Sequence, residues 1–291
     1  IAPVIIKAAG KLTGKTNGGL SYGLLGALTT QNDSSNIIEL MLKGKNSGYF
    51  ISRFKQDLLE GNSFLGLMTT SSIKDSAHTV SIDGMANIFD NQIGIDAQIV
   101  LASNHIGRPY KGIYGNMSYT PSGSFSGWID YYEYDQGLDI NHLGYLWRDN
   151  YKQIKAGIQF QSLYSYSIIR NTSFSIEGDL EENLEGLDLG KSREFLLDIQ
   201  FENFWSIGGG YYHIDSHLDD RKIIYDIYNK EFGPPVPIPL IFGSHFNFTT
   251  NKHQSIWASI SFIWANNSRD DLEKAQFAEL TYKPNSFLSF S

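Results

Sequence analysis

The chain has 291 residues, a formal net charge of -8 and no cysteine. Without cysteine there is no disulfide scaffold and no thiolate metal site, and an acidic chain whose Lys and Arg are scattered is not built to hold nucleic acid. Gly (28), Tyr (17) and Phe (18) are plentiful while only 19% of residues are charged, a balance that favours strands over long helices and points to an all-β protein.

In chain order, the recurring pattern is alternation with period two over segments of about ten residues, separated by turn residues. Val80, Ile82, Ala86 and Ile88 alternate with Ser81, Asp83 and Asn87; Ile95, Ala97, Ile99 and Leu101 alternate with Asp96 and Gln98. Ile154, Ile158 and Phe160 oppose Lys155, Gln159 and Gln161, and Phe195, Leu197, Ile199 and Phe201 oppose Asp198, Gln200 and Glu202. Ile256, Ala258, Ile260, Phe262 and Trp264 oppose Ser255, Ser259 and Ser261. This template predicts about sixteen strands, beginning near residues 5, 19, 48, 62, 78, 93, 108, 124, 151, 168, 191, 205, 241, 254, 272 and 286. No run approaches the 18 or so apolar residues of a transmembrane helix. The fold expected is a single antiparallel up-and-down transmembrane β-barrel domain over 1–291. Its lipid face carries Ile154, Ile158, Phe160, Phe195, Leu197, Ile199, Phe201, Ile260 and Phe262. Its lumen is lined by Lys155, Gln159, Gln161, Asp198, Gln200 and Glu202.

Every second connection is short and turn-like: Asn17-Gly18-Gly19, Glu60-Gly61-Asn62, Asp90-Asn91-Gln92, Pro121-Ser122-Gly123 and Pro284-Asn285. Of those between, residues 32–47, 136–150, 178–190 and 218–240 read as long. Outer-membrane barrels sort their connections this way, with tight periplasmic turns and longer outer loops. With the short turns in the periplasm, the first strand starts outside and the last ends outside. Ile1-Ala2-Pro3 does not open a signal peptide. Both features lead to the expectation of a processed chain or a piece of a larger barrel. Aromatic pairs near strand ends (Tyr49 and Phe50, Tyr131 and Tyr132, Tyr164 and Tyr166, Phe204 and Trp205, Tyr211 and Tyr212) are candidates for interfacial girdles.

Four stretches are candidates for chemistry. His213, Asp215 and His217 share a strand face and are weak metal candidates, since same-face neighbours lie about 6.7 Å apart and no fourth ligand is evident. Glu177, Asp179, Glu181, Glu182, Glu185 and Asp188 form an acidic stretch that lacks the calcium-loop pattern and reads as a solvated loop. Gly208-Gly209-Gly210 lies inside a strand pattern and has no following Lys and helix to make a phosphate cradle. The segment 139–150 mixes Leu143, Tyr145, Leu146 and Trp147 with Asp139, His142, Arg148 and Asp149. It is expected either to fold into a barrel mouth or to meet a partner, through His142, Tyr145, Trp147 and Arg148. No nucleophile elbow, zincin or Walker motif is present, so no catalytic residue is nominated and no cofactor is expected.

The stretch Ile6-Lys7-Ala8-Ala9-Gly10-Lys11-Leu12-Thr13-Gly14-Lys15-Thr16, with Gly19 to Leu25, Phe54-Lys55-Gln56-Asp57-Leu58 and Leu138 to Leu146, resembles a family of Bacteroidota outer-membrane barrel proteins. It is the domain of unknown function family 5916, in which the barrel usually follows a domain similar to carbohydrate-binding family 9. The resemblance spans nearly all 291 residues and implies a barrel in a Gram-negative outer membrane. The function expected is a channel, a transporter or a membrane anchor for a partner or fused domain. The alternative is an outer-membrane hydrolase or glycan-binding protein with its site in outer loops, since some family members carry a hydrolase label. Candidate partners are the lipid bilayer, other outer-membrane or periplasmic subunits, and glycans; nucleic acid is not among them.

Overall fold

The computed structural model describes residues 4–31, 45–74, 76–104, 109–141, 144–226, 231–267, 272–285 and 288–290. In chain order the strands are β1 (Val4–Lys15), β2 (Leu20–Gln31), β3 (Lys45–Leu58), β4 (Ser63–Ser72), β5 (Ala77–Ile88), β6 (Ile93–Asn104), β7 (Tyr110–Tyr119), β8 (Phe125–Tyr134), β9 (Tyr151–Gln161), β10 (Ile169–Glu182), β11 (Asp188–Phe201) and β12 (Ser206–Ile214). Four short strands follow, β13 (His217–Asp219), β14 (Ile224–Asp226), β15 (Glu231–Phe232) and β16 (Val236–Ile238). The chain then resumes long strands in β17 (Ile241–Thr249), β18 (Ile256–Asn267) and β19 (Leu272–Asn285), and ends in the short β20 (Leu288–Phe290). Sixteen of these form one antiparallel up-and-down sheet in which neighbours follow chain order, with β12 beside β17. The short strands pair separately, β13 with β16 and β14 with β15. Among the described residues β1 and β20 each have a single sheet neighbour, so the sheet is open there.

The meander follows from the turn chemistry. The first turn closes when Gly19, at φ +83, donates to the carbonyl of Thr16, a left-handed conformation that glycine adopts without strain. At the next turn on this end Glu60 and Gly61 are both left-handed, at φ 57 and 93. Such turns join adjacent antiparallel strands and leave no chain for a crossover. Among the described residues no helix is long and apolar enough to cross a membrane, which leaves crossing by strands untouched.

Two expected boundaries move. Residues 178–190 are not a long loop: β10 runs to Glu182 and β11 starts at Asp188. The connection shrinks to a tight turn in which Asn183 Oδ1 accepts the amides of Glu185 and Leu187. The acidic composition masked a continuing alternation, with Leu180 between Asp179 and Glu181. Likewise β19 continues through Pro284 and Asn285 rather than turning there. The segment 218–240, read as a long loop, carries the four short strands. Most of 32–47 lies outside the described residues.

The chain divides into two compact units, Ile1–Met117 with Tyr131–Lys152, and Ser118–Asp130 with Gln153–Ser291. Neither has the interior of a sandwich. The buried apolar residues among those described are Ala77, Ala102, Leu138, Tyr151, Leu189 and Trp257, far too few to bring two layers together around a core.

Candidate functional site

In the first unit, cross-strand register puts Tyr22, Phe54, Leu67, Ile82 and Ile99 in one row across β2 to β6. Directly opposed residues of antiparallel strands share a face, and so do residues two apart on a strand. Phe50, Leu58, Leu65, Val80, Ile95 and Leu101 therefore lie on the same face as that row, and all of them are exposed. Ile82 and Ile99 keep 54% and 52% of their surface open, where a solvated sheet face would carry polar groups. Gly84, Ala86 and Ala97 are small, and beside Leu65, Ile82, Ile95 and Ile99 they leave an apolar groove of about 640 Å³.

The second unit repeats the arrangement. One row joins Phe174, Leu197, Gly209, Phe246 and Phe262; the next joins Thr172, Ile199, Ile207, Phe248 and Ile260. The Phe160 ring stacks on Phe174 at 5.4 Å and meets Phe125 at 5.0 Å, which puts β9's even-numbered residues, Ile154 and Ile158 included, on this apolar face. Lys155, Gln159, Gln161, Asp198 and Gln200 lie on the opposite face. Glu202 falls past the end of β11, in the turn before β12. Of each neighbouring aromatic pair on a strand, only one member can reach the apolar face. Tyr211 is there, whereas Tyr212 lies over Gly243 on the other face.

That other face is polar and ion-paired. In the first unit Asp57 Oδ2 receives Lys15 Nζ at 2.6 Å, and Asp57 Oδ1 lies 3.6 Å from Lys55 Nζ. Arg53 on β3 reaches over β4 to grip Asp83 on β5 through both guanidinium nitrogens. It passes above Gly66, where a Cβ would sit 2.5 Å from Arg53 Nη2. In the second unit Lys155 pairs with Glu177 at 3.1 Å, Gln153 donates to Glu181 at 3.0 Å, and Ser192 donates to Asp179. Glu194 and Asp198 share this face on β11, as do Glu273 and Glu279 on β19. Glycines make room here too. A Cβ on Gly157 would collide with the Trp128 ring, and one on Gly208 with the Asp198 carboxylate. The glycine run of β12 is thus a trough that Asp198, Asn247, Leu196 and His245 lean across. Sequence reading missed these cross-strand grips, although Arg53 and Lys55 flanking Phe54 already put two bases opposite an aromatic.

Residues 135–141 and 144–150 form two arms folded onto the polar face of the first unit. Leu138 has no exposed surface. Its Cδ2 and the Cγ1 of Val100 come within 2.9 and 2.7 Å of where a Gly112 Cβ would be, with Tyr134 beside them. Val100 opposes Ser81, which opposes Met68, itself opposite Arg53, so the notch is on the polar face. Asp149 accepts the Gly137 amide at 2.7 Å and Asp135 accepts the Lys111 amide at 2.8 Å. Asn141 Oδ1 accepts the Leu146 amide at 2.7 Å. Trp147 meets Tyr151 edge-on at 5.2 Å, and Arg148 is buried with its guanidinium 5.8 Å from that ring. Of the side chains nominated for docking, Tyr145 and Trp147 are exposed and Arg148 is turned inward; His142 lies outside the described residues.

The His213, Asp215 and His217 side chains do not converge. His213 Nε2 lies 3.0 Å from Asp215 Oδ1 and its Nδ1 lies 3.2 Å from Tyr211 Oη, while His217 bonds the Asp215 carbonyl instead. Asp215 is further occupied by Arg193 at 2.9 Å. Among the described residues no group of three or more His, Cys, Asp or Glu could hold a metal ion. At the same end of the sheet, well beyond the apolar rows, the Lys191 ammonium holds the Asp188 carboxyl below the usual carboxylate range, assisted by the Gly190 amide.

These features define an all-β protein built on one large antiparallel meander, with an exposed apolar face, an ion-paired polar face and one loop packed onto the latter. The chain belongs to the family described as a domain of unknown function (DUF5916), which matches residues 3–290. No curated protein and no solved structure matches it.

Proposed function

We propose that the chain forms the membrane-spanning β-barrel of a bacterial outer-membrane protein, with lipid against the apolar face and a polar passage along the other. The observation that carries this reading is an exposed apolar face without a packed core behind it. A soluble sheet hides such a face under a second layer, and contiguous exposed patches above a few hundred Å² are rare on monomers. Lipid removes the conflict, and an antiparallel meander is the sheet that can satisfy its backbone there once its edges are paired. From Ile256 to Trp264, eight residue steps of β18 span about 27 Å along the strand. At the 35–45° tilt of membrane barrels this gives roughly 20 Å of height, close to the apolar band of about 25 Å that such barrels show. The ion pairs fit a water-filled lumen, where charges stay solvated.

The role that follows is passage of solutes, or display of a partner at the membrane, without a catalytic step. Expression with an export signal in a Gram-negative host tests it. The chain should sediment with the outer membrane, require detergent for extraction and migrate in a heat-modifiable way. Recovery as a soluble monomer without detergent would overturn the reading.

A further inference from the structure

We propose that residues 135–141 and 144–150 form a fixed constriction that sets the size limit of the passage. This rests on the barrel reading above and deepens it. Both arms of the segment are fastened to the polar face rather than thrown outward. On one arm Leu138 fills the notch over Gly112 between Val100 and Tyr134; on the other, Trp147 and Arg148 pack against Tyr151. Asp149 ties the arms together through the Gly137 amide, and the Asn150 amide returns to the Asp135 carbonyl at 3.3 Å. A loop evolved to sweep open would not bury Leu138, Arg148, Asp149 and Asn150 in its roots, because local opening is drawn from regions with few buried contacts. What projects from these roots is bulk: Tyr145 and Trp147 keep 81% and 59% of their surface exposed. Two large aromatics carried on arms fastened to the polar face narrow the route for a hydrated solute, as loops folded into barrels do. Gly112 follows from the same arrangement, since any side chain there would expel Leu138.

The full chain, folded in detergent and placed in planar bilayers, tests the proposal. Conductance and its block by neutral polymers of graded size are the readouts. Tyr145→Ala with Trp147→Ala should raise single-channel conductance by about two-fold or more and admit larger polymers. Leu138→Ala with Asp149→Ala loosens the roots without removing the aromatics, and should turn a steady conductance into a fluctuating one. Phe89→Ala, on an exposed turn at the opposite end of the strands, should change neither. Heat-modifiable migration of each variant shows that it has folded. A conducting parent whose size limit and noise are unchanged in both variants overturns the constriction and leaves the passage intact. A silent parent that conducts once the aromatics are trimmed also overturns it, because the segment is then a plug. Silence from all of them instead refutes the passage itself.

Discussion

Leu196 and Leu197 are chemically identical neighbours on β11 that face opposite ways, so substituting each by Arg isolates the effect of the face. Leu197 stands in the row Phe174, Leu197, Gly209, Phe246 and Phe262, inside the apolar band. In the barrel reading an arginine there meets hydrocarbon on every side, with a cost of about 2–4 kcal/mol near the midplane. That is roughly 30- to 700-fold in the folding equilibrium at tenfold per 1.4 kcal/mol. Leu196 stands in the row Ser175, Leu196, Gly210, His245 and Ile263. An arginine there gains Glu194 and Asp198 as same-face neighbours about 6.7 Å away, so its loss of packing over Gly210 is offset by favourable charge. Leu196→Arg should fold within about 1 kcal/mol of the parent. The assay is urea-dependent folding into lipid vesicles, followed by heat-modifiable migration and tryptophan emission. Equal destabilisation by the two substitutions, or a larger loss for Leu196→Arg, would refute the assignment of faces.

Other expectations rest on single contacts. Asp83→Asn should cost about 1 kcal/mol, because Arg53 loses a charged partner but stays part-solvated; urea titration in detergent checks this. Gly66→Ala should break the same grip by pushing the guanidinium aside, so that Asp83→Asn costs little in its background, a coupling that a double-mutant cycle reads. Gly157→Ala forces a methyl into the Trp128 ring and should cost about 1–3 kcal/mol with a shift in tryptophan emission. Finally, the polar face of the second unit bears Glu177, Asp179, Glu181, Glu194, Asp198, Glu273 and Glu279, with Lys155 paired to Glu177. Passage along it should favour potassium over chloride, since rings of carboxylates select cations. The reversal potential in a KCl gradient measures this, and Glu194→Gln with Asp198→Asn should reduce the preference.

The fold was legible where alternation is strict. Phe195 to Phe201, Ile154 to Gln161 and Ile256 to Trp264 divide between the faces as their period-two pattern requires, because a one-residue slip would put every side chain on the wrong side. Alternation failed as a guide where both faces are polar. From Gly178 to Gly190 no apolar residue but Leu180, Leu184, Leu187 and Leu189 marks a face, and strand was taken for loop. The polar face was only half visible. A sequence shows that Lys155 or Asp198 opposes its apolar neighbours, but not that Arg53 spans β4 to Asp83, since that needs the register of three strands and a glycine between them. The segment 139–150 was recognisable as unusual from its mix of aromatic and charged residues. That Leu138 anchors it depends on Gly112, 26 positions earlier in the chain, and no local pattern connects the two.

The fate of His213 shows why a site cannot be read from spacing alone. His213 opposes Arg193 and Phe242, in a row that also holds Gly178 and Asn266. One row further along each strand, toward the turns, lie Ile176, Phe195, Tyr211, Ser244 and Trp264, with Lys274 opposite Trp264. The apolar face therefore gives way to Arg, His, Asn and Lys within two rows, flanked by Tyr211 and Trp264. In the barrel reading this is where hydrocarbon meets headgroups, the level that amphipathic rings and cationic side chains prefer. Both ring nitrogens of His213 are already engaged, one by Tyr211 and one by Asp215, and Asp215 is shared with Arg193. A metal would have to break these bonds to gain a single imidazole and a carboxylate, too few ligands for a structural zinc site. The alternation that puts His213 and Asp215 on one face is thus the same alternation that builds the apolar band, carried one step past its edge.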